Sequence, residues 1–357
     1  MSALLSRLFG RSPGVPDRPR LDDNTWHVPA ETSPHKACWM AWPQKSIWGH
    51  TLLPLIEADI ALIANTIAKY EQVVMCAGNA AAAERARILC YTNINIIDRD
   101  IAVDDCWMRD SGPIFRINSA KEHDAFGLNF NGWGNRQVHA KDKSVAQNIA
   151  SYRELHFSKA SVVSEGGAIE HDGDGTIIAT ESSIINNNRN RGKSKIQIET
   201  ELLHLYGATK MIWVPGLRNQ DRTDDHIDAV ARFVKPGTVL EQLAPSSRTD
   251  IFANDAKQIH DILSAATDAK GRKLDVITLE GPDTLSNKPD DYLDSYINFF
   301  LANGALITAR FGDEQKDAAA KQVLSSLFPD RIIEQLNVDN LHSWGGGIHC
   351  VTQQEPQ

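Results

Sequence analysis

The chain has 357 residues, of which 42% are apolar and 23% are charged, both close to the average for a globular protein. A chain of this length can bury about 75% of its unfolded surface without a disulfide or a metal, so disordered and fibrous classes are excluded. Its 46 acidic and 37 basic residues give a net charge of −9, which argues against a general nucleic-acid-binding protein and is compatible with a small cationic ligand.

Cysteine usage and hydropathy favour a cytoplasmic protein. The chain has five cysteines, Cys38, Cys76, Cys90, Cys106 and Cys350, with no C-x-x-C pair, so neither a zinc ribbon nor a thioredoxin-type motif is present. So few cysteines in a chain of this length favour a reducing compartment over a secreted disulfide framework. No apolar run approaches the roughly 18 residues that a transmembrane helix requires, so we expect no contact with a membrane.

Residues 1–20 are predicted to form a flexible N-terminal arm. Three prolines lie between Ser12 and Arg20, and the apolar cluster before them is too short for the core of a secretory signal. A mitochondrial presequence is the alternative interpretation of this Arg-bearing start. The composition then stays even, with no linker or charge block, so residues 21–357 are predicted to form a single domain.

Short apolar runs alternate with amphipathic segments along this domain. Apolar residues that recur at three- and four-residue steps, Ala-rich composition and capping signals predict helices at 53–70, 79–89, 188–206, 252–269 and 313–327. Apolar runs predict strands at 72–76, 94–97, 296–301 and 305–309, the last two joined by a tight turn at Asn303-Gly304. Strands that alternate with helices are typical of an α/β protein.

Three common α/β site motifs are missing from the sequence. No G-x-G-x-x-G follows an early strand, and there is no G-x-x-x-x-G-K-[ST]. No Gly-x-Ser-x-Gly is present either, which disfavours an α/β-hydrolase. The usual dinucleotide, nucleoside triphosphate and serine-esterase classes are therefore disfavoured.

Two acidic segments in the first half of the domain are candidates for ligand binding. Segment 104–113 carries three acids and an arginine within seven residues, which a buried strand would not do. A loop that presents Asp110 beside the aromatic wall of Trp107 would bind a guanidinium or an amine through charge-assisted hydrogen bonds. A surface loop with an ion pair between Arg109 and Asp110 is the alternative. The second segment, Glu165-Gly166-Gly167, permits a turn or a close backbone approach and is weak evidence alone.

The segment around His226 supplies a proton donor or acceptor. If it runs as a strand, His226 and Asp228 lie on the same face, because side chains in a strand alternate with a period of two. A histidine beside a carboxylate has a tunable pKa and suits acid–base catalysis. A metal site is the competing interpretation, but no third ligand appears at a diagnostic spacing, and no metal is predicted.

Cys350 is the candidate nucleophile. Three preceding glycines, among them Gly346 and Gly347, let the backbone approach a ligand closely and leave the thiol accessible. On a strand His349 would face away from Cys350, so His226 is the preferred partner.

A Cys–His pair with several acids admits two classes of reaction. A cysteine peptidase or acyl-transferase needs an oxyanion hole and does not require several carboxylates. Thiol attack on a cationic amidine or guanidine uses carboxylates to hold a charge that the substrate always carries. The acid-rich set of residues favours the second class.

Taken in order, these segments resemble the agmatine deiminase family of the guanidine-modifying, or pentein, superfamily, the same group as bacterial peptidylarginine deiminase. The resemblance runs over most of the chain, through Val28-Pro29-Ala30-Glu31, WMRDSGP at 107–113, NFNGWG at 129–134, EGG at 165–167, NNRNR at 187–191, TDDHID at 223–228, SYINFFLANG at 295–304 and GGGIHCVTQQEP at 345–356. It implies a five-bladed pseudosymmetric α/β propeller of ββαβ-like units, with residues 21–357 as one deiminase catalytic domain. It also implies a homo-oligomer, a dimer or larger.

The resemblance also implies the chemistry, which is hydrolytic deimination of agmatine to N-carbamoylputrescine and ammonia without a cofactor. Deimination of arginine, free or in a peptide, to citrulline is the alternative, and a catalytically inactive binding module is the alternative outside enzymes. By motif the catalytic residues are the nucleophile Cys350, the general acid/base His226, the guanidinium-binding carboxylates Asp110 and Asp228, and Glu165, which supports the histidine or the substrate.

Candidate substrate-binding residues are Trp107, Asn129, Trp133, Asp225, Gly346 and Gly347. In related sequences the residue before the catalytic histidine is often glycine, and here it is Asp225. An acid at this position would tune the pKa of His226 or favour a substrate with a distal cation. It also makes the segment similar to the peptidylarginine branch.

Overall fold

The computed structural model describes residues 26–283, 288–289 and 291–357. The predicted arm at residues 1–20 lies outside the described residues. Within the described ranges, no helix combines the length and the apolar character needed to cross a membrane.

The described residues form five sheets with a common internal order. The strands are β1 (His35–Ala41), β2 (Val73–Cys76), β3 (Asn95–Ile97), β4 (Ile114–Ile117), β5 (His123–Gly127), β6 (His156–Lys159), β7 (Ile169–His171), β8 (Thr176–Thr180), β9 (Lys210–Val214), β10 (Ala231–Lys235), β11 (Thr238–Leu243), β12 (Asp275–Glu280), β13 (Phe300–Ala302), β14 (Ala305–Ala309), β15 (Ile332–Leu336) and β16 (Gln353–Pro356). The sheet orders are β16-β1-β2-β3, β4-β5-β6, β7-β8-β9, β10-β11-β12 and β13-β14-β15. In each sheet the first pair is antiparallel and the next is parallel.

A helix precedes the parallel strand of every sheet, because parallel neighbours need a crossover connection. The longer helices are α1 (Leu53–Ile67), α2 (Ala80–Leu89), α3 (Val145–Tyr152), α4 (Lys195–Tyr206), α5 (Ile251–Ala265) and α6 (Glu314–Leu327). Shorter helical turns are Lys45–Trp48, Met108–Ser111, Gly132–Asn135, Asp142–Ser144, Gly166–Ala168, Glu181–Ile184, Asn187–Asn190, Ile227–Ala229, Asp339–His342 and His349–Val351. The repeating unit is therefore ββαβ, which is the unit that the family resemblance implies.

Most predicted elements are confirmed with small changes at their ends. Helices α1, α2, α5 and α6 match the helices predicted at 53–70, 79–89, 252–269 and 313–327. The helix predicted at 188–206 is wrong as one element. Gly192 adopts a φ of +84° and interrupts it, and α4 then begins at a capping box formed by Ser194 and Gln197. The predicted hairpin is confirmed as β13 and β14, although β13 begins only at Phe300.

The C-terminal strand completes the sheet that the N-terminal strand begins. Gln353 pairs with Trp39 in the antiparallel register of β16 and β1. The buried indole of Trp39 donates a hydrogen bond of 2.8 Å to Glu355, which fixes β16 at its far end. Cys350 lies in the helical turn directly before β16, so this pairing also holds the candidate nucleophile in place.

The sequence-predicted catalytic residues occupy equivalent positions in this repeat. They lie in short segments before the first strand of four sheets: Asp110 before β4, Glu165 before β7, His226 and Asp228 before β10, and Cys350 before β16. In the fifth sheet the corresponding segment precedes β13 and contains Asn298. One end of each repeating unit thus supplies the candidate site.

Candidate active site

Three side chains from two segments converge on Gly167. A Cβ atom at this position would lie 2.8 Å from His226 Nδ1, 2.9 Å from Asp110 Oδ1 and 3.0 Å from Asp228 Oδ2. Only glycine leaves room for three polar atoms this close to the backbone. The Gly-Gly segment, weak evidence in the sequence, is thus the point around which the imidazole and both carboxylates are arranged.

Asp110 is held from two sides. The indole nitrogen of Trp133 donates to its Oδ2 at 2.9 Å, and the backbone N–H of Gly167 donates to its Oδ1 at 3.0 Å. Burial raises the pKa of Asp110, His226 lowers it, and the nearby carboxylate of Glu165 raises it further. The carboxylate is therefore fixed in position and lies where a cation would stabilise its charged form.

His226 lies between two carboxylates. Its Nε2 is 3.3 Å from Glu165 Oε2 and its Nδ1 is 3.8 Å from Asp110 Oδ1. Burial alone would lower the pKa of His226, but the charges of Asp110 and Glu165 outweigh it and raise the pKa to about 9. At neutral pH the imidazole is therefore protonated and can act as an acid.

Glu165 is part of a fully buried ion-pair network. Arg189 Nε donates to both of its carboxylate oxygens, at 2.9 and 3.0 Å, and Arg189 Nη1 donates to Asp224 Oδ2 at 2.8 Å. Burial opposes ionisation of Glu165, but Arg189 and His226 lower its pKa below the ordinary value. A carboxylate that stays charged is thereby fixed beside His226.

Asp228 is oriented by His349. Asp228 Oδ2 is 2.7 Å from His349 Nδ1, and His349 Nε2 is 2.9 Å from Glu31 Oε2. Burial opposes ionisation of Asp228, but the hydrogen bond and charge of His349 lower its pKa. The strand assumed for His226 and Asp228 is wrong, because the chain forms a helical turn at Ile227–Ala229. Both side chains nevertheless reach Gly167.

Cys350 is partly exposed, whereas the other four cysteines are buried. Its thiol donates to Asn298 Oδ1 at 3.5 Å, and it lies in a helical turn rather than in the strand assumed from sequence. Burial and then the charges of Asp228 and Asp110 raise the pKa of Cys350 well above its ordinary value. A positive charge bound by these carboxylates would counter that effect and favour the thiolate.

The remaining sequence-predicted residues divide into two groups. Trp107 and Trp133 lie close to the site: Trp133 binds Asp110, and the Trp107 ring occupies the space that a side chain at position 346 would fill. Gly347 allows a similar approach by Asn298. The two glycines thus leave room for the Trp107 ring and the Asn298 side chain, and their contact with the substrate stays a prediction. The side-chain amide of Asn129 donates to the carbonyl of Val162 at 2.9 Å, and its contact with the substrate stays a prediction.

A cavity of about 260 Å³ contains the thiol and the histidine. Its lining includes Cys350, His226, Asp228 and Asn298, together with the further acids Asp221, Asp225, Asp255, Asp291 and Asp294. An acidic lining favours a cationic ligand. Within the described ranges, no three His, Cys, Asp or Glu side chains are grouped so that they could hold a metal ion.

Four positioning residues were missed by the sequence reasoning. Glu31, Arg189 and Asn298 lie in segments that carried the family resemblance, but no role was assigned to them. His349 was set aside as facing away from Cys350. A signal was present for Arg189, because a buried acid such as Glu165 needs a cationic partner.

Comparisons with known proteins agree with this architecture. Agmatine deiminase of Enterococcus faecalis superimposes with a TM-score of 0.87 and 27% identity, over 95% of this chain and 99% of that one. Agmatine deiminases of Medicago truncatula and Pseudomonas aeruginosa are 35% and 33% identical, over 93% and 95% of this chain and 96% and 97% of theirs.

Fold and site define a guanidine-modifying deiminase of the pentein class, a hydrolase that acts on C–N bonds of linear amidines. The model of the Porphyromonas-type peptidyl-arginine deiminase family matches residues 27–356, and the chain belongs to this family.

Proposed function

We propose that the protein hydrolyses agmatine to N-carbamoylputrescine and ammonia through a covalent adduct on Cys350. The observation that carries the proposal is the convergence of His226, Asp110 and Asp228 on Gly167, in a site whose acidic cavity also contains the partly exposed thiol. The agmatine deiminases named above support the choice of agmatine as the substrate.

The two carboxylates bind the guanidinium. A guanidinium is always charged and presents N–H donors in a planar fork, which carboxylates recognise through short charge-assisted hydrogen bonds. Asp110 is fixed by Trp133 and Gly167, and Asp228 by His349, so little freedom is lost on binding. This arrangement presents the central carbon to Cys350.

The bound cation prepares the nucleophile. In the free site the raised pKa of Cys350 keeps the thiol protonated. Once the guanidinium neutralises Asp110 and Asp228, the thiol releases its proton to solvent, and the thiolate attacks the guanidinium carbon. A C–S bond forms, and His226, protonated at neutral pH because its pKa is raised to about 9, transfers a proton to the leaving nitrogen. The C–N bond breaks, ammonia departs, and an amidino-thioether remains.

Hydrolysis of the adduct uses the same histidine in its other protonation state. His226 is now neutral and takes a proton from a water molecule as the oxygen attacks the amidino carbon. The C–O bond forms, the C–S bond breaks, and Cys350 leaves as a thiolate. One water is consumed and one ammonia released for each agmatine.

The direct test is ammonia release from the purified protein. Agmatine, free arginine and a blocked arginyl peptide are compared side by side, with Cys350→Ala as the inactive variant and Cys90→Ala as a matched cysteine control. We expect release from agmatine that Cys350→Ala abolishes and Cys90→Ala retains. Release only from an arginine substrate would still show a deiminase but would overturn agmatine as the substrate.

A further inference from the structure

We propose that Asp224 is a positioning residue for the reaction, which holds the loop before His226 in place and sets the charge environment of that histidine through Arg189 and Glu165. The inference deepens the proposed function and rests on it for the role of His226 as the acid. Asp224 acts through these neighbours rather than by touching the substrate.

The carboxylate of Asp224 is surrounded by donors from three segments of the chain. Its Oδ1 accepts the backbone N–H of Asn219 and Arg136 Nη2, both at 2.8 Å. Its Oδ2 accepts Arg189 Nη1 at 2.8 Å and the side-chain amide of Asn188 at 3.0 Å. The side chain is fully buried, and burial opposes its ionisation, but Arg136 and the other donors lower its pKa below the ordinary value. Asp224 is therefore a buried anion at the junction of these segments.

The backbone at Asp224 is held in a strained conformation directly before the catalytic histidine. Its φ is +65° and that of Asp225 is +72°, so two successive residues with a Cβ adopt the left-handed region. The carbonyl of Asp224 accepts from Ser182 Oγ at 2.7 Å, and the carbonyl of Asp225 accepts from Thr180 Oγ1 at 2.7 Å. These bonds, with the four on the carboxylate, offset the strain and fix the point at which the chain enters His226.

Arg136 ties this loop to the turn that orients the guanidinium-binding carboxylate. It follows the short turn that contains Trp133, whose indole donates to Asp110. Its guanidinium donates to Asp224 and also to the backbone carbonyl of Arg222 at 2.7 Å. One side chain therefore connects the support of Asp110 to the loop that carries the histidine.

Five charged side chains alternate in sign through this network. In order they are His226, Glu165, Arg189, Asp224 and Arg136, at 3.3, 2.9, 2.8 and 2.8 Å between successive members. Without the negative charge of Asp224, Arg189 would be balanced by Glu165 alone, so the field at His226 would become more positive and its pKa would fall. Without the positive charge of Arg136 the field would become more negative, and the pKa of His226 would rise.

The other acids around His226 do not depend on this network for their charge. Asp110 Oδ1 is 3.8 Å from His226 Nδ1, and Asp228 contributes a further, smaller rise in the pKa of His226. Asp221 and Asp225 belong to the same loop, where Asp221 Oδ1 accepts the backbone N–H of Asp225 at 3.0 Å. All four acids are kept in the variants below.

The test uses two variants for which opposite signs are expected. Asp224→Asn removes the negative charge, and Asn tolerates the left-handed backbone at this position. Arg136→Gln removes the positive charge at an exposed residue, where loss of the fold is less of a risk. The pKa of His226 is measured by NMR titration at low ionic strength in a Cys350→Ala background, where no turnover is needed.

The pKa of His226 should fall by about half a unit in Asp224→Asn, which is less than the roughly one unit or more that a charge in direct contact produces. It should rise in Arg136→Gln by a smaller amount, because solvent and salt partly screen an exposed charge. The alkaline limb of ammonia release from agmatine should move in the same two directions. Arg136→Lys keeps the charge and should leave the limb in place.

The matched controls come from one surface ion pair, Arg87 and Asp98. Asp98→Asn and Arg87→Gln make the same two charge changes and should leave the pKa of His226 unmoved. Thermal unfolding checks that each variant is folded. If Asp224→Asn unfolds, the comparison of Arg136→Gln with Arg136→Lys decides the inference alone.

Two results would overturn the positioning role. One is a shift of the same sign in Asp224→Asn and Arg136→Gln, which a general loosening of the site would give, and the other is an unmoved pKa in Arg136→Gln. The expected NMR shifts in a protein that releases no ammonia from agmatine would instead overturn the proposed function and still support the charge network.

Discussion

Replacing Glu165 with Gln removes the negative charge beside His226 and keeps the shape of the side chain. His226 Nε2 lies 3.3 Å from Glu165 Oε2, and an opposite charge at this range changes a pKa by about one to three units. Because the pKa of His226 is raised to about 9, the variant should titrate at least about one pH unit lower. Asp110 remains in the variant, and its charge still raises the pKa of His226 in part.

The expected readout is the alkaline limb of the pH–rate profile. The first step needs a protonated His226, so the rate falls as pH rises through its pKa, and in Glu165→Gln this fall should begin at a lower pH. Ammonia release from agmatine gives the profile, and NMR titration of His226 in a Cys350→Ala background gives the pKa directly. Arg189 keeps its contact with Asp224 at 2.8 Å, so we expect the variant to fold, which thermal unfolding checks.

The matched control is Glu181→Gln, because the half-buried carboxylate of Glu181 pairs with Lys195 away from the site. It removes a charge of the same sign from the surface and should leave the alkaline limb unmoved. An alkaline limb that stays in place in Glu165→Gln, or moves to higher pH, would refute the assignment of His226 as the acid supported by Glu165.

Three further predictions follow from the geometry of the site. Iodoacetamide should alkylate Cys350 more slowly than free cysteine at neutral pH, because burial and the neighbouring acids raise the pKa of the thiol. Asp110→Asn removes one of these acids and should speed the reaction. Peptide mass mapping checks both rates, and a slower reaction in the variant would contradict the argument. Gly346→Ala should cost about 1–3 kcal/mol of stability and reduce activity, because its Cβ would overlap the ring of Trp107; unchanged thermal unfolding and kinetics would show that the ring moves freely. His226 has a folded pKa of about 9, above the unfolded value of about 6.5, so its stabilising contribution is complete below pH 6.5 and is lost as pH rises through 9. The stability difference between wild type and His226→Gln, measured by urea unfolding, should therefore shrink by on the order of 3 kcal/mol over that interval, and a constant difference would contradict it.

The catalytic residues were predictable from the sequence because each lies in a short segment of unusual composition. Cys350, His226, Asp110 and Asp228 stand in acidic or glycine-rich runs that packing alone does not require, and the structure brings all but the thiol to within about 3 Å of one point at Gly167. Helices such as α1 were predictable because their buried faces repeat at helical spacing.

The fivefold repeat was visible only in three dimensions. Its units share the order of strands and helix, but their catalytic segments carry different motifs: WMRDSGP, EGG, TDDHID and GGGIHC. The sequence therefore carried no internal repeat from which the arrangement could be read, and the fold expectation depended on the family resemblance.

The positioning residues were missed because their contacts join distant parts of the chain. His349 reaches Asp228 on one side and Glu31, 318 positions earlier, on the other. Its rejection rested on a strand geometry that the helical turn at His349–Val351 does not have. Side-chain direction in such turns is set by tertiary packing, which local spacing does not reveal.

The covalent adduct on Cys350 is the central claim, and intact-mass spectrometry after rapid acid quench tests it most directly. Protein turning over agmatine should show a species heavier by the mass of agmatine minus ammonia, mapped by peptide analysis to Cys350 and absent from Cys350→Ala. Ammonia release that continues in Cys350→Ala, or steady turnover with an adduct mapped to another residue, would contradict the account.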